Sequence, residues 1–267
     1  MRQGREMRET AGGGTINRNE VLRMKKMLAL LLVMSLLLAG CGDALEQSVT
    51  GTLKNDSVET VAPVTGTVAA EETALPEAED PVSMGRMDGG TYINEYTGYA
   101  CDLDSSWTFY SAEELQELPG NVQEILEGTE IGDSMEGMEQ FTDMMAENAD
   151  IMVTMNVLYQ KQTMQERIAM AMLDDSEILE ATLQQKDQLV AAYAQAGIEV
   201  GTLEPVTVTF LGQERSALHM SSVMQGVPYY TLQIFDYDLG RYRVTLTLAS
   251  FVEDNTWSLL ELFYPVA

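Results

Sequence analysis

The chemistry open to these 267 residues is narrow, because they contain one histidine, His219, and two cysteines, Cys41 and Cys101. A single histidine excludes any multi-histidine metal site. A Ser-His-Asp triad would have to use His219 with Ser216, Ser221 or Ser222. Neighbouring side chains on one strand rarely supply a nucleophile and its base together, and no Gly-x-Ser-x-Gly turn is present. His219 therefore reads as a structural side chain with a satisfied ring, and no catalytic residue is assigned. Asp102 with Asp104, and Asp236 with Asp238, each offer two carboxylates of the kind Ca²⁺ binds, but both pairs read as strand ends and turns. Nothing singles out a carboxylate pair of the kind that hydrolyses glycosides. Met135, Met138, Met144, Met145, Met152 and Met155 cluster along the chain. Thioethers hold Cu(I), yet packing or a forgiving groove is the plainer reading. No Gly-rich phosphate loop with a lysine occurs, and no metal or cofactor is implied.

The one residue with a specific chemical role is Cys41. Lys25 and Lys26 precede an apolar run from Leu28 to Leu38, followed by Ala39-Gly40-Cys41. The run is too short for a bilayer core of about 30 Å, which needs about 20 residues. It has the charged, apolar and small-residue order of an export signal. Leu38-Ala39-Gly40-Cys41 resembles the lipobox of bacterial lipoproteins. That resemblance implies diacylglycerol on the Cys41 sulfur and cleavage between Gly40 and Cys41. Residues 1–23 are polar and of mixed charge, so Met24 reads as the true start. Residues 1–40 are then the lipoprotein signal.

The formal charge is −27. Removing the first 40 residues, with seven Lys/Arg and three Asp/Glu, leaves eight basic and 39 acidic residues and a charge near −31. Such a chain is unsuited to phosphate backbones and is repelled by anionic lipid. Nucleic acid is excluded as a partner, and membrane retention falls to the lipid on Cys41. A protein or a cationic or peptide ligand fits the charge. Cys101 has no cysteine partner within the mature chain and reads as a buried thiol.

Residues 41–90 are rich in Thr, Val, Ala, Glu, Pro and Gly and contain no aromatic residue, which is the composition of a flexible acidic tether. Aromatic residues begin at Tyr92, and 91–267 reads as one globular domain. Strands are expected at 91–94, 98–103 and 107–110. A capping box at Ser111–Glu114 opens a helix that Pro119-Gly120 stops. Helices follow at 121–127 and 135–147. Ile151, Val153, Met155, Val157 and Tyr159 mark one face of a strand at 151–159. A second capping box at Thr163–Glu166 opens a short helix. Leu179, Leu183, Val190 and Tyr193 share one face of a helix from Asp174 to Ala196, with Gly197 as its stop. Four strands then form a meander, with turns at Gly212-Gln213, Gly226-Val227-Pro228 and Asp238-Leu239-Gly240. Asp254 or Asn255 caps a final helix through Trp257, Leu260 and Phe263. The fold class is α+β, an antiparallel sheet flanked by helices.

The stretch Thr91-Tyr92-Ile93-Asn94-Glu95-Tyr96-Thr97-Gly98-Tyr99, followed by Leu103 and Ser106-Trp107-Thr108-Phe109, resembles the opening of small lipoproteins of gut-dwelling Firmicutes. Gly212 to Ala217 and Gly226 to Tyr230 resemble later parts of the same group. The Pro-x-Gly usual before the Trp is replaced here by Asp104-Ser105-Ser106. The order of elements is similar to the PsbP-like α/β/α sandwich. The resemblance implies a non-enzymatic binding or assembly module on the outer face of a Gram-positive cytoplasmic membrane, and it transfers no catalytic residue. A surface hydrolase using acidic residues and a cation-binding lipoprotein are the alternatives.

Overall fold

The computed structural model describes residues 85–117, 139–184, 186–195, 197–236 and 241–266. Met24, Gly40, Cys41, nearly all of the expected tether, the expected helix at 121–127, Met135, Met138 and Asp238 lie outside them. Among the described residues no helix is long and apolar enough to cross a membrane.

Most of the described chain is antiparallel β-sheet. In chain order the strands are β1 (Arg86–Asp88), β2 (Thr91–Asn94), β3 (Tyr99–Asp102), β4 (Thr108–Phe109), β5 (Gln140–Asn148), β6 (Val153–Lys161), β7 (Ile198–Phe210), β8 (Gln213–Met224), β9 (Val227–Asp236), β10 (Tyr242–Phe251) and β11 (Phe263–Pro265). They form a large sheet in the order β4-β5-β6-β10-β9-β8-β7 and a small one in the order β1-β2-β3-β11. Helical residues are fewer: α1 (112–117), α2 (Met164–Met170), α3 (Asp175–Gln184), α4 (Lys186–Gln195) and α5 (Thr256–Leu259). Gln185, between α3 and α4, is not among the described residues, and the expected long helix is seen as these two runs.

The large sheet is two-faced because side chains alternate along each strand. One face carries Met155, Val157, Tyr159, Leu232, Ile234, Val244, Leu246 and Leu248, which form a single core with Tyr92, Tyr99, Cys101 and Phe263 of the small sheet and Leu259 of α5. Tyr99, Phe210 and Phe263 meet edge to face with centroids 5.6 to 5.8 Å apart. Each such contact contributes about 0.5–1.5 kcal/mol beyond burial. The opposite face packs α3 and α4 against β7 and β8. Under β6, β9 and β10 that face is polar yet buried, with Asn156, Gln160, Gln233, Thr245 and Thr247.

Local signals explain the ends of the elements. Both expected capping boxes form. Ser111 N donates to Glu114 Oε2 at 2.9 Å and Glu114 N to Ser111 Oγ at 3.3 Å, and Thr163 and Glu166 make the same reciprocal pair. The β7–β8 and β8–β9 turns fall one residue earlier than expected, on Leu211-Gly212 and Gln225-Gly226. All four residues have positive φ, between 52° and 82°. Two consecutive left-handed residues give the turn whose twist matches antiparallel strands.

Two expectations are corrected. Residues 135–147 were expected to be helical, but Gln140–Asn148 is strand β5. Its pairing with β6 shifts between Thr142 and Met144, so Asp143 is an inserted bulge residue. The insertion moves the apolar residues onto positions 141, 144 and 145, a spacing that imitates a helix. The final helix ends before Phe263, and Phe263, Tyr264 and Pro265 pair with Cys101, Ala100 and Tyr99 as β11. Pro265 cannot continue a helix.

Cys101 is fully buried on β3, and desolvation pushes its thiol up to about 12. Native protein is expected to leave Cys101 unmodified by a thiol reagent at pH 8. Stoichiometric labelling should appear only on unfolding, and mass spectrometry across a denaturant series checks it.

Candidate functional site

The bulge in β5 turns the Asp143 carboxylate toward the small sheet. Tyr92 Oη donates to its Oδ2 at 2.6 Å, and Gly85 N donates to its two oxygens at 3.0 and 2.9 Å. The Asn94 Nδ2 amide lies 2.9 Å from Asp143 Oδ2 and 2.7 Å from the hydroxyls of both Tyr92 and Tyr159. Its two N–H groups serve these three oxygens two at a time. Asn94 Oδ1 accepts from the backbone N–H of Tyr96 and Thr97, which fixes the orientation of the amide. Tyr92, Asn94 and Tyr159 are all buried.

Burial raises the Asp143 carboxyl above its ordinary 3.8, with the bonds from Tyr92, Gly85 and Asn94 opposing the rise. Desolvation, helped by the nearby acidic groups, likewise pushes the Tyr92 and Tyr159 hydroxyls upward, so both stay protonated, Tyr92 donating to Asp143 and Tyr159 accepting from Asn94. Aromatic rings surround the network. Phe141 stacks on Tyr159 at 4.9 Å with 6° between planes, and Tyr96 lies 5.8 Å from Tyr159.

A cavity of about 470 Å³ opens beside the bulge. Met87, Phe109, Leu115, Phe141, Met144 and Met145 give it apolar walls, and Asp143 is the one carboxylate among its described lining residues. Gln140 and Thr142 also line it. Gln140 Oε1 and Thr142 Oγ1 are buried with no hydrogen-bond partner among the described residues. No Lys, Arg or His is among the described lining residues. The Asp143 carboxylate is the one formal charge among the described lining residues, and the hydroxyls and amides of Tyr110, Gln116, Gln140 and Thr142 can donate or accept. The cavity therefore suits an apolar ligand that carries a cationic or hydrogen-bonding group.

The residues considered from sequence lie elsewhere and do not converge. His219 Nε2 is 2.9 Å from Asp254 Oδ2, and its ring packs 5.5 Å from Trp257. Ser216 and Ser222 fall on the other face of β8, where Ser222 Oγ donates to the Tyr229 carbonyl. Ser221 shares the His219 face, but its hydroxyl is bonded to Thr202 Oγ1 at 2.7 Å. Asp102 accepts from Thr91 and Tyr264. Asp104 accepts from Ser106, which holds its carboxyl below the ordinary value. Asp236 pairs with Arg215 at 2.6 Å. Met144 and Met155 enter the core that faces the small sheet, while Met152 is exposed in the β5–β6 turn. Among the described residues no three His, Cys, Asp or Glu side chains are grouped to hold a metal. Asp143, the carboxylate at the cavity, was missed because its segment reads as helical.

No protein-family model and no curated protein matches the sequence. The solution structure of cyanobacterial PsbP (CyanoP) from Synechocystis sp. PCC 6803 aligns with 68% of this chain and 98% of that chain, at 10% identity and a TM-score of 0.36. A likeness of that size carries no site or activity across.

A Cβ at position 85 would lie 2.3 Å from Tyr92 Cε2 and 2.6 Å from Asp143 Oδ2. Gly85→Ala is therefore expected to cost about 1–3 kcal/mol in urea unfolding, an overpacking penalty. The raised Asp143 carboxyl also has a signed consequence. The folded state holds this proton more tightly than the unfolded chain, so its contribution is full below pH 3.8 and is lost as pH rises through the folded value. The difference in unfolding free energy between wild type and Asp143→Asn, measured against pH, should favour wild type most at low pH and shrink as pH rises through that window.

Proposed function

We propose that the mature chain is a lipid-anchored, extracytoplasmic binding module with a PsbP-like arrangement, holding a small ligand in the cavity beside Asp143. The observation that carries the binding reading is the composition of that cavity: apolar walls, one buttressed carboxylate, and buried Gln140 and Thr142 oxygens with no partner among the described residues. The carboxylate is bonded to the Tyr92 hydroxyl, the Asn94 amide and the Gly85 N–H, and no Ser, Cys, His or Lys is among the described lining residues of the cavity, which favours binding over turnover. The ligand class is an apolar molecule with an amine or other strong donor. The sequence Leu38-Ala39-Gly40-Cys41 supports anchoring through Cys41 on the outer face of the membrane. The order of strands and helices supports the PsbP-like reading.

Two measurements test this. Labelled palmitate fed to expressing cells should enter the wild-type chain and be absent from Cys41→Ala, which should also be released from membranes. Native mass spectrometry of the mature protein against a panel of apolar amines should find a bound species, lost in an Ala112→Trp variant that fills the mouth of the cavity. Hydrolysis of any panel compound that disappears in Asp143→Asn would overturn the binding reading in favour of a surface hydrolase.

A further inference from the structure

The end of the large sheet remote from Gln140 exposes a run of apolar side chains on adjacent segments. Ile151 and Met152 form the β5–β6 turn, Val252 follows β10, Val223 lies near the end of β8, and Trp257 stands on α5. Each is between 38% and 53% exposed. Backbone bonds tie these segments together. Phe251 N donates to the Met152 carbonyl at 3.0 Å, Val252 N donates to the Pro228 carbonyl at 2.9 Å, and Pro228 pairs with Val223.

Two of these residues are held in an unfavourable backbone shape. Met152 has φ 54° and Val252 has φ 71°, and neither is glycine. The left-handed region is costly for any side chain and most of all for a β-branched one. An ordinary turn would use glycine or asparagine there. Here the backbone strain is accepted while both side chains stay in solvent.

The basic side chains are unevenly placed along the same axis, and at the far end Lys161 and Arg215 pair with Glu139 and Asp236. Asp150, Glu199, Glu253 and Asp254 border the apolar run. None of the seven Lys and Arg of the described residues lies in these segments. Four of the seven, Lys161, Arg215, Arg241 and Arg243, sit at the opposite end of the strands, where Lys161 pairs with Tyr242 and Arg243 with Gln160.

We propose that this end is a docking surface for a protein partner that presents apolar anchors inside a basic rim. Exposed apolar patches bounded by polar residues mark interaction sites, and opposite charge at the rim sets partner choice and encounter rate. An anionic lipid surface and a second copy of this acidic chain are both repelled by the same rim. The surface is separate from the cavity beside Asp143.

The test uses the full mature chain and fluorescein-labelled peptides read by anisotropy. One probe is an amphipathic Leu–Lys helix; the other is a Ser–Lys peptide of equal charge. The Leu–Lys peptide should bind at least about tenfold more tightly, and the double variant Ile151→Gln/Val252→Asn should remove that advantage while leaving Ser–Lys binding unchanged. Met164→Gln/Ile168→Gln, on exposed α2, should change neither. Val252→Gly should raise the melting temperature and weaken Leu–Lys binding, which a purely structural role would not produce. Equal binding of the two peptides, or a Leu–Lys advantage that survives the double variant, would overturn the proposal. So would anionic vesicle binding or dimerisation that the double variant abolishes.

Discussion

The side-chain amide of Asn94 is the interaction on which this arrangement depends. It is completely buried at the junction of the two sheets and reaches Tyr92 on β2, Tyr159 on β6 and Asp143 on β5. A buried amide without partners costs several times what one hydrogen bond contributes, so the three oxygens must stay where they are. That requirement fixes the small sheet over the large one and keeps the bulge in β5. It also brings in Gly85, whose N–H completes the carboxylate shell and whose missing Cβ lets the backbone lie against the Tyr92 ring. The apolar core supplies most of the driving force, while this polar junction specifies which packing the core adopts.

Much of the fold was legible because alternation and capping are short-range properties. Val153 to Tyr159 and the meander from Val206 onward carry period-two patterns, and both Ser/Thr-x-x-Glu boxes do what their spacing implies. The misreadings have physical causes. A bulge adds one residue and turns a strand's period into a helix-like one, so β5 was hidden and Asp143 with it. Phe263 continues the spacing of α5, but its partner Cys101 is far away in sequence, and no local pattern reports a pairing of that range. Asp254 or Asn255 was expected to cap α5: Asn255 takes the N-cap position without a side-chain bond, while Asp254, one residue earlier, accepts from Thr256 N and Oγ1 through its Oδ1. Its other oxygen meets His219, a contact set by the sheet. The site was legible in its parts, since Tyr92 and Asn94 stand in the opening motif. It was not legible as a site, because what unites them is a bulge 49 residues later.

The two ends of the large sheet differ in chemistry. Towards Gln140 lie aromatic rings, the cavity and four of the seven described basic side chains, two of them paired with Glu139 and Asp236. Towards Val252 lie acidic groups and apolar side chains held out by strained backbone. Antiparallel strands allow this division because each crossing returns the chain to the same two ends. Every hairpin adds to one end or the other, so the cavity beside Asp143 and the apolar turns around Val252 can change independently. Both ends stand on the buried rows from Met155 to Leu232, which no exposed substitution reaches.

The pairing of β11 with β3 has a kinetic consequence. Tyr264 donates to Asp102 across 162 residues of sequence, and the small sheet lacks its last strand until that contact forms. Closing a loop of that size is slow relative to the local hairpins of the meander. The meander can form early, but Cys101, Tyr99 and Phe263 enter a common core only after residues 263–265 have been synthesised and have returned to β3. A chain emerging from its N-terminus is thus kept from completing this core until Phe263, Tyr264 and Pro265 are free to pair. The sheet-to-sheet core is therefore the last part of the domain to consolidate, whatever the order in which the hairpins form.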